Sequence, residues 1–453
     1  MTTSHIDLKN PDLYTEGVPH AFFDDLRRQC PVYWQPEDDG PGYWAVTRHA
    51  DVIGVSRDTT FSAAMGSTQI DEFDEETRLK QASMLLNLDP PDHTRLRQLV
   101  SRGFTPRVIK QLESHIRDIC TRVVDDLIEV GRDGQVVDFV PVAAAPLPLE
   151  VIAALLGAPA EDVGKLYDWS NRMIGWDDPE YGSTREDGEL AAAEVFLYAN
   201  EIAARRRVEP RDDIVTKLVT PDEHGDTLTE MEFDMFFVLL VIAGNETTRN
   251  AISGGVQAFM EHPDQWRRLQ GEPELVSSAV EEILRWVSPV IGFRRTPTCP
   301  AAIGEQQVQG GDKVVVYYPS ANRDADVFDD PHVFDIARDD NPHVAFGGTG
   351  VHFCLGAHLA RLELKVMFET LAARLDRVEP AGPARRLRSN FINGIKRCRC
   401  GSTRARREFM REMVDDHCRT PTAVVMSRHV SRNVNLESTR RRSPNARPTP
   451  CSG

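Results

Sequence analysis

Cys354 is the residue whose surroundings point most directly to chemistry. It lies in the glycine-rich segment Phe346-Gly-Gly-Thr-Gly-Val-His-Phe-Cys354-Leu-Gly356, next to a predicted helix over residues 355–375. Free backbone N–H groups and the positive end of the helix dipole favour a thiolate over a thiol there. Gly350 and Gly356 let the backbone approach a flat, bulky ligand, because no Cβ stands in the way. The segment therefore predicts a thiolate beside a planar ligand.

Other interpretations of this segment were a phosphate-binding loop, a zinc site and a structural cysteine. A phosphate loop would end in Gly-Lys-Ser/Thr, whereas Val351, His352 and Phe353 stand here. A zinc site built on His352 and Cys354 lacks a second pair of ligands at usable spacing. A buried structural cysteine is the commonest use of a single cysteine and stays open. A haem iron, which takes a thiolate as its axial ligand, accounts for the whole pattern.

The elements that must position these residues are predicted to be mainly helices, with a minor β region. Apolar residues recur every three or four positions over residues 106–219. Thr229 and Glu232 form a capping-box pattern that opens a long helix. Residues 43–47 alternate as in a small edge sheet, and residues 311–318 have the pattern of a buried strand.

Composition and charge exclude several classes of protein. The 453 residues are 41% hydrophobic and carry a formal net charge of −17. Residues 397–453 contain 13 arginines, no lysine and five acids, a net charge of +8, which leaves about −25 for residues 1–396. Such an acidic body disfavours nucleic acid as a partner, because phosphate neutralisation needs a basic face.

The longest apolar stretch has 10 residues and no signal-peptide pattern precedes it. We therefore expect a cytoplasmic protein without a membrane span.

The segment around Cys354 resembles the haem-binding signature of the cytochrome P450 superfamily, Phe-x-x-Gly-x-x-x-Cys-x-Gly. One difference is that Phe346 lies eight residues before the cysteine, where the general signature has seven, so Gly347 takes the phenylalanine position. The resemblance covers nearly all of residues 10–396 and implies the P450 fold, with haem between the long central helix and the helix after the cysteine loop. Other matching segments, in the expected order, are residues 89–97, the pair Glu282 and Arg285, residues 293–296 and residues 321–331.

The resemblance also implies roles for single residues. It makes Cys354 the axial ligand of a haem b iron. It assigns Glu246 and Thr247 of the long helix as the acid and the alcohol that pass protons to dioxygen. It also implies that this helix is distorted nearby, at Gly244. Dioxygen cleavage needs two protons delivered in an otherwise dry pocket. The alternatives are a surface charge at Glu246 and a threonine bonded to its own helix. The implied haem contacts are His93, Arg97 and Arg295, at the propionates, and His352, Gly350 and Gly356.

The resemblance ends at Lys396. We expect a single haem-thiolate monooxygenase domain over residues 1–396 and a basic tail over residues 397–453. The tail has no apolar periodicity and is predicted to be disordered. A nucleic-acid-binding arm is the alternative use of this tail.

The implied reaction inserts one atom of O2 into a C–H bond of a large apolar substrate. Residues 84–89, 101–106, 243–250, 261–266 and 387–396 resemble actinobacterial cholesterol and cholest-4-en-3-one side-chain hydroxylases. Hydroxylases of terpenoid alcohols and methyl-branched lipids have similar motifs and stay open. The predicted pocket walls are Met84, Leu85, Leu86, Val238, Ile242, Val290, Ile291, Phe293, Phe391 and Ile392.

Electrons are expected from a ferredoxin and its NAD(P)H-dependent reductase. The predicted docking residues are Arg102, Arg107, Lys110, Arg361 and Lys365. The alternative is that they are ordinary solvated charges.

Two other functions of the protein stay open. A peroxygenase usually lacks the acid–alcohol pair, and a non-catalytic haem sensor needs no proton relay.

Overall fold

Helices form most of the chain, and a small sheet accompanies them. The computed structural model describes residues 6–38, 40–175 and 178–401. The helices are α1 (His20–Gln29), α2 (His49–Arg57), α3 (Glu75–Gln81), α4 (Asp92–Ser101), α5 (Pro106–Val130), α6 (Pro146–Leu156), α7 (Val163–Ile174), α8 (Arg185–Val208), α9 (Ile214–Val219), α10 (Glu230–Glu261), α11 (Pro263–Gly271), α12 (Val276–Val287), α13 (Tyr318–Ala321) and α14 (Ala357–Arg374). The strands are β1 (Val32–Gln35), β2 (Tyr43–Val46), β3 (Phe61–Ser62), β4 (Val137–Asp138), β5 (Gly292–Pro297), β6 (Ala301–Ile303), β7 (Gln306–Val308), β8 (Val314–Tyr317), β9 (Arg385–Arg386), β10 (Ile395–Arg397) and β11 (Arg399–Cys400). The predicted fold class, mainly α with a minor β region, is confirmed.

The long helix α10 crosses the interior of the fold. Its predicted capping box is present, because Thr229 N–H donates to Glu232 Oε2 at 2.8 Å and Glu232 N–H donates to Thr229 Oγ1 at 3.3 Å. Of its 32 residues, 23 are buried, so this helix is surrounded by packing on all sides rather than along one stripe. It ends at Glu261, just before Pro263, which begins α11.

The main sheet has five strands in the order β1-β2-β8-β5-β3. Strand β2 lies between β1, which runs antiparallel to it, and β8, which runs parallel to it. Residues 43–47 were predicted to belong to a small sheet, and Tyr43–Val46 form an interior strand of it. Alternation along a strand shows that its two faces differ, but it does not show how many neighbours the strand has.

Glu282 and Arg285 lock the chain that leads to the cysteine loop, as their spacing predicted. Both side chains are completely buried, and Arg285 donates to the two Glu282 oxygens at 2.7 and 2.8 Å. Arg285 also donates to the carbonyl oxygens of Asn322 and Pro331, both at 2.9 Å. Glu282 accepts a further bond from the Asp335 N–H at 2.9 Å. The pair therefore fixes the backbone shortly before the cysteine loop.

The folded body continues past the predicted domain boundary at Lys396. Strand β11 pairs with β4, and Phe139 N–H donates to the carbonyl oxygen of Cys398 at 2.8 Å. Cys398 and Cys400 are buried while the arginines between and before them are exposed, which is the period of two that a strand requires. Two small sulfur-bearing side chains thus fill apolar positions. Residues 402–453, the remainder of the predicted tail, lie outside the described residues.

Among the helices of the described residues, none is both long and apolar enough to cross a membrane.

Candidate active site

A cavity of about 730 Å³, here called the cysteine cavity, is lined by residues of α10, α14 and the loop between Phe346 and Gly356. Nine of the ten predicted wall residues line it: Met84, Leu85, Leu86, Val238, Ile242, Val290, Phe293, Phe391 and Ile392. Ile291 does not line it, and that prediction was wrong. Its side chain packs instead in a separate apolar cluster with Phe23 and Tyr317, because neighbouring residues of an extended chain point in opposite directions.

The loop that carries Cys354 is closed by its own backbone. Cys354 N–H donates to the carbonyl oxygen of Phe346 at 3.0 Å. Gly347 and Gly348 both have positive φ, 90° and 68°, a conformation that only glycine adopts without strain. These two residues accommodate the additional position between Phe346 and the cysteine. The Phe346 ring is covered by the Arg361 guanidinium, 4.5 Å from the ring centroid.

Gly350 and Gly356 serve different purposes, although both line the cysteine cavity. A Cβ on Gly350 would lie 2.1 Å from the carbonyl oxygen of Ser56, so the loop could not pack on α2 with any larger residue. Nothing lies within 4 Å of the place where a Cβ on Gly356 would stand. Only Gly356 therefore keeps space open on the cavity side, whereas Gly350 is required by packing.

The Cys354 side chain is exposed, and its surface faces the cysteine cavity. Burial raises the pKa of the Cys354 thiol, while the N–H groups of Gly356 and Ala357 and the charge of Arg97 act in the opposite direction. The predicted donors are present, but burial outweighs them in its effect on the pKa of this thiol. A bound metal cation would favour the thiolate, because a coordinating thiol is deprotonated outright.

A cluster of nitrogen-bearing side chains faces the same cavity. His93, Arg97, Arg295 and His352 all line it, and the two imidazole rings lie 4.3 Å apart. Burial lowers the pKa of His93 to about 4 and that of His352 to about 2, so both rings are neutral donors. Within the described residues neither His93 nitrogen has a hydrogen-bond partner, and the bonds found for Arg97 and Arg295 go to backbone carbonyls.

That cluster fits a haem. Buried donors without acceptors are rare in proteins. Two arginines and a histidine directed at one edge of a cavity suit a planar group that carries two carboxylates, since guanidinium groups bind carboxylates by charge-assisted hydrogen bonds. In the described part of the chain no three His, Cys, Asp or Glu side chains are grouped to hold a metal ion.

Thr247 and Glu246 of α10 also line the cysteine cavity. The Thr247 hydroxyl donates to the carbonyl oxygen of Ala243 at 2.7 Å. The helix continues unbroken through this turn, so the distortion implied at Gly244 is not seen. A Cβ on Gly244 would lie 2.3 Å from Cδ1 of Ile152, so this glycine permits close packing of α6 on α10.

Glu246 is not a surface charge. Its side chain is 2% exposed, lines the cysteine cavity and forms an ion pair with Arg249, which is 4% exposed. Burial raises the pKa of Glu246, and the Arg249 charge opposes this rise. Arg249 was not among the predicted site residues, although its i,i+3 spacing from Glu246 is the signal for such a pair.

Glu363 on α14 is a second buried acid that the sequence analysis missed. It lines the cysteine cavity, and its Oε2 atom has no hydrogen-bond partner among the described residues. Burial raises the pKa of this carboxyl well above its usual range. No sequence signal identifies Glu363, because the sequence around a buried helical glutamate does not differ from that around an exposed one.

Comparisons with known proteins agree with this geometry. The family model for cytochrome P450 matches residues 149–381. A steroid C26-monooxygenase of Rhodococcus jostii is 44% identical over 402 residues, which cover 86% of this chain and 83% of that protein. A linalool 8-monooxygenase of Pseudomonas putida is 42% identical over 398 residues, covering 86% and 97% of the two chains. The structure of Mycobacterium marinum cytochrome P450 CYP268A2 in complex with pseudoionone has a TM-score of 0.81 and 35% identity, covering 88% and 99%.

The matching family model, relatives above 40% identity and a cavity that combines one cysteine with two arginines and an unpartnered histidine lead to the same conclusion. The chain belongs to the cytochrome P450 family and is a haem-dependent monooxygenase.

Proposed function

We propose that this monooxygenase hydroxylates the side chain of a sterol or steroid. The cysteine cavity carries the proposal, since it must hold a haem and a substrate together and most of its walls are apolar. Burying apolar surface contributes roughly 25 cal/mol per Å², so a sterol-sized molecule needs no ion pair for affinity. The similarity to a steroid C26-monooxygenase supports the same substrate class.

The proposed haem is haem b, held by Cys354 at the iron and by His93, Arg97, Arg295 and His352 around its edge. The sequence has no Cys-x-x-Cys-His segment that would attach haem covalently. When bound, the haem supplies the iron at which dioxygen is reduced and one oxygen atom is transferred to the substrate.

Glu246 and Thr247 are proposed to handle the protons of this reaction. The Thr247 oxygen retains acceptor capacity toward the cavity, because its hydrogen is donated to Ala243. Thr247→Ala should leave haem and substrate binding intact and divert electrons to hydrogen peroxide, because the cavity loses that polar atom. Peroxide yield per NAD(P)H consumed measures this, and unchanged coupling would assign the role to another group.

The orientation of the substrate follows from where the polar groups lie. Lys80 of α3 and Glu189 of α8 line the cavity, and their ion pair of 3.8 Å is more than half exposed on both sides. This exposed pair marks a place where the cavity meets solvent. The polar end of a sterol would lie at this mouth, and its alkyl end would point toward the iron.

A terpenoid alcohol is the second candidate substrate, favoured by the similarity to a linalool 8-monooxygenase. The experiment is a titration of the ferric enzyme with cholest-4-en-3-one, a linear fatty acid and linalool, in which the shift from low to high spin reports binding. A sterol response, followed by side-chain hydroxylation in the reconstituted system, would support the proposal. A response to linalool alone, without any sterol product, would replace it with the terpenoid alternative.

The electron donor is proposed to be a ferredoxin with its NAD(P)H-dependent reductase, docking where α5 and α14 adjoin. Arg117 of α5 and Lys365 of α14 share Glu369, which shows that these helices are neighbours. Arg107 and Lys110 are exposed at the start of α5. Arg361 is instead bound to Glu281 at 2.7 and 2.8 Å, so it contributes less than expected from the sequence.

The catalytic body is proposed to end at Gly401 rather than at Lys396. Cys398 and Cys400 are 2% and 1% exposed, and Gly401 N–H donates to the carbonyl oxygen of Glu379 at 2.9 Å. A chain truncated after Gly401 should therefore keep its haem and activity. A chain truncated after Lys396 should unfold at lower urea concentration, and equal stability of the two would contradict this boundary.

A further inference from the structure

A second cavity lies at the end of the described chain and differs from the cysteine cavity in its chemistry. It has a volume of about 400 Å³ and is here called the basic cavity. Binding sites for small molecules have volumes of about 300–1,000 Å³. Four cationic residues line it, Arg249, Lys396, Arg397 and Arg399, together with Val136, Asp138, Val140, Pro141, Tyr167 and Tyr181. None of these residues lines the cysteine cavity.

Arg397 and Arg399 supply positive charge that no described residue neutralises. Both side chains are exposed, and neither forms an ion pair or a side-chain hydrogen bond with another residue that the structure describes. They are two positions apart in an extended chain, while Cys398 between them is buried on the other face. Residues at this spacing lie roughly 7 Å apart on one face, so two guanidinium groups can reach the same anion.

The other two cations of the basic cavity are already paired. Lys396 Nζ lies 2.7 Å from Asp178 Oδ2, and Arg249 forms its ion pair with Glu246. Arg249 nevertheless has one donor to spare, because its buried Nε has no hydrogen-bond partner among the described residues. Buried donors without an acceptor are rare in proteins. The cavity therefore combines two exposed cations with a buried arginine whose hydrogen bonding is incomplete.

Asp138 is the acidic residue among these lining residues, and its carboxylate is directed at the backbone. Its Oδ1 accepts from the N–H of Cys398 at 3.1 Å and from that of Val140 at 3.3 Å. Asp138 is opposite Arg399 in the β4–β11 register, but the two form no ion pair in the part of the chain that the structure describes. The carboxylate thus holds the strands and leaves the arginine charge uncompensated.

This basic surface is an exception in an acidic protein. Residues 1–396 carry a net charge of about −25, and the resemblance to cytochrome P450 sequences ends at Lys396. Arg397 and Arg399 come directly after that point, and strand pairing with β4 keeps them in the folded body. The two arginines therefore belong to a feature of this chain and not to a motif of the family.

The lining residues favour a phosphate group attached to a small organic molecule. Guanidinium groups bind phosphate through paired hydrogen bonds, and a phosphate monoester carries nearly two negative charges at pH 7, which match two arginines better than one carboxylate does. Burial raises the pKa of Tyr181 to about 12, so its hydroxyl is an additional donor at neutral pH. The rings of Tyr167 and Tyr181 and the side chains of Val140 and Pro141 offer contacts to an organic group.

We propose that the basic cavity is a binding site for a phosphate monoester, separate from the substrate site. The phosphate is held by Arg397 and Arg399, and the organic group lies against the tyrosine rings and the apolar wall. Binding is non-covalent, and no bond is made or broken. The proposal goes beyond the proposed function and does not depend on the substrate or on the role of Glu246.

The first test is titration calorimetry of the full-length ferric holoenzyme at constant ionic strength. The probes are inorganic phosphate and phenyl phosphate, which adds one ring to the same charged group. Both should bind at one saturable site, and phenyl phosphate should bind more tightly, because its ring contacts the cavity wall. The absorption spectrum of the ferric haem should not change. Equal affinities would overturn the assignment to a monoester, and a spin-state shift would place the ligand in the cysteine cavity instead.

Arginine variants test which cations hold the phosphate. Arg397→Gln and Arg399→Gln should each raise the dissociation constant of phenyl phosphate by ten- to about hundredfold, the usual loss for a hydrogen bond to a charged group. Arg397→Lys should lose less than Arg397→Gln, since the charge remains but the planar fork does not. Arg207→Gln is the matched control and should bind like the parent enzyme, because Arg207 is exposed and lines neither cavity.

Residues 402–453 are present in all these variants, so the arginines of that segment contribute equally to every measurement. Unchanged dissociation constants in both Arg397→Gln and Arg399→Gln would overturn the proposal. Haem content and the spectrum of the reduced CO complex show beforehand that each variant is folded. If Arg399→Gln fails this check, Arg397→Gln and the cavity variant described next decide.

Filling the cavity tests where the organic group lies. Val136 is 56% exposed and lines the basic cavity, whereas Val130 is 46% exposed and lines neither cavity. Val136→Trp should weaken phenyl phosphate binding at least tenfold, and Val130→Trp should leave it unchanged. A crystal structure with phenyl phosphate should place phosphate oxygens about 2.7–2.9 Å from guanidinium nitrogens of Arg397 and Arg399. Equal binding by the two tryptophan variants, or phosphate bound elsewhere, would overturn the inference.

Discussion

Two regions of the fold are held in very different ways. In the chain before the cysteine loop, the buried pair of Glu282 and Arg285 has no exposed side-chain surface and is bonded to the backbone at several points. At the mouth, α3 has no buried residue at all. The contact across the mouth is the exposed ion pair of Lys80 and Glu189, with a separation of 3.8 Å.

The difference indicates where chemistry and substrate choice reside. A buried ion pair cannot lose one partner without leaving an uncompensated charge, so changes there are costly. An exposed pair contributes little and can be exchanged freely. Relatives named for a steroid and for linalool are both more than 40% identical to this chain.

The largest effect is expected at Cys354 itself. Cys354→Ser should abolish the red-shifted Soret band of the reduced CO complex and all hydroxylation, because serine does not supply a thiolate to the iron. The absorption spectrum of the reduced, CO-bound enzyme measures this. A retained red-shifted band would disprove the assignment of the axial ligand.

A large loss of stability is expected at Arg285. Arg285→Met should lower the free energy of unfolding by about 3 kcal/mol, since it leaves Glu282 buried without its main partner. Arg117→Met, at an arginine that is 46% exposed, is the matched control and should change it by less than about 1 kcal/mol. Urea unfolding followed by circular dichroism measures both. Equal losses would show that burial does not distinguish the two ion pairs.

A smaller, pH-dependent effect is expected at Glu281. Burial alone would raise the pKa of Glu281, but hydrogen bonds from His343 and Arg361 lower it to about 2. A folded-state pKa below the unfolded value of 4.5 stabilises the protein above pH 4.5, and this contribution is lost as the pH falls from 4.5 toward 2. Because the side chain is 30% exposed, we expect about 2 kcal/mol.

The measurement for Glu281 is the difference in unfolding free energy between the parent enzyme and Glu281→Gln. This difference should be greatest at pH 6 and decrease as the pH is lowered from 5 to 3. A difference that stays constant over this range would mean that the carboxylate charge contributes nothing.

The smallest effect is expected at the mouth. Lys80→Met should change the dissociation constant of the substrate by less than about fivefold, since an exposed ion pair contributes between 0 and about 1 kcal/mol. Spin-state titration gives the constant. A much greater loss would show that Lys80 binds the substrate directly, and the mouth would then be as important as the walls.

Several features of this protein follow from the sequence alone. The cysteine in its glycine-rich loop, the capping box of α10 and the buried pair of Glu282 and Arg285 are local patterns with fixed spacing, so their chemistry can be inferred without a structure. Nine of the ten predicted wall residues also line the cavity.

Other features were decided by the tertiary structure, because they depend on what lies opposite a residue. The direction of Ile291, the interior position of β2 and the packing reasons for Gly244 and Gly350 depend on neighbours that are distant in sequence. The strand formed by Arg399 and Cys400 needs β4 as a partner, more than 250 positions earlier, as the hydrogen bond of Cys398 N–H to Asp138 shows. Burial likewise raises the pKa of Cys354 against its local donors, since desolvation is a property of the whole fold and not of the loop.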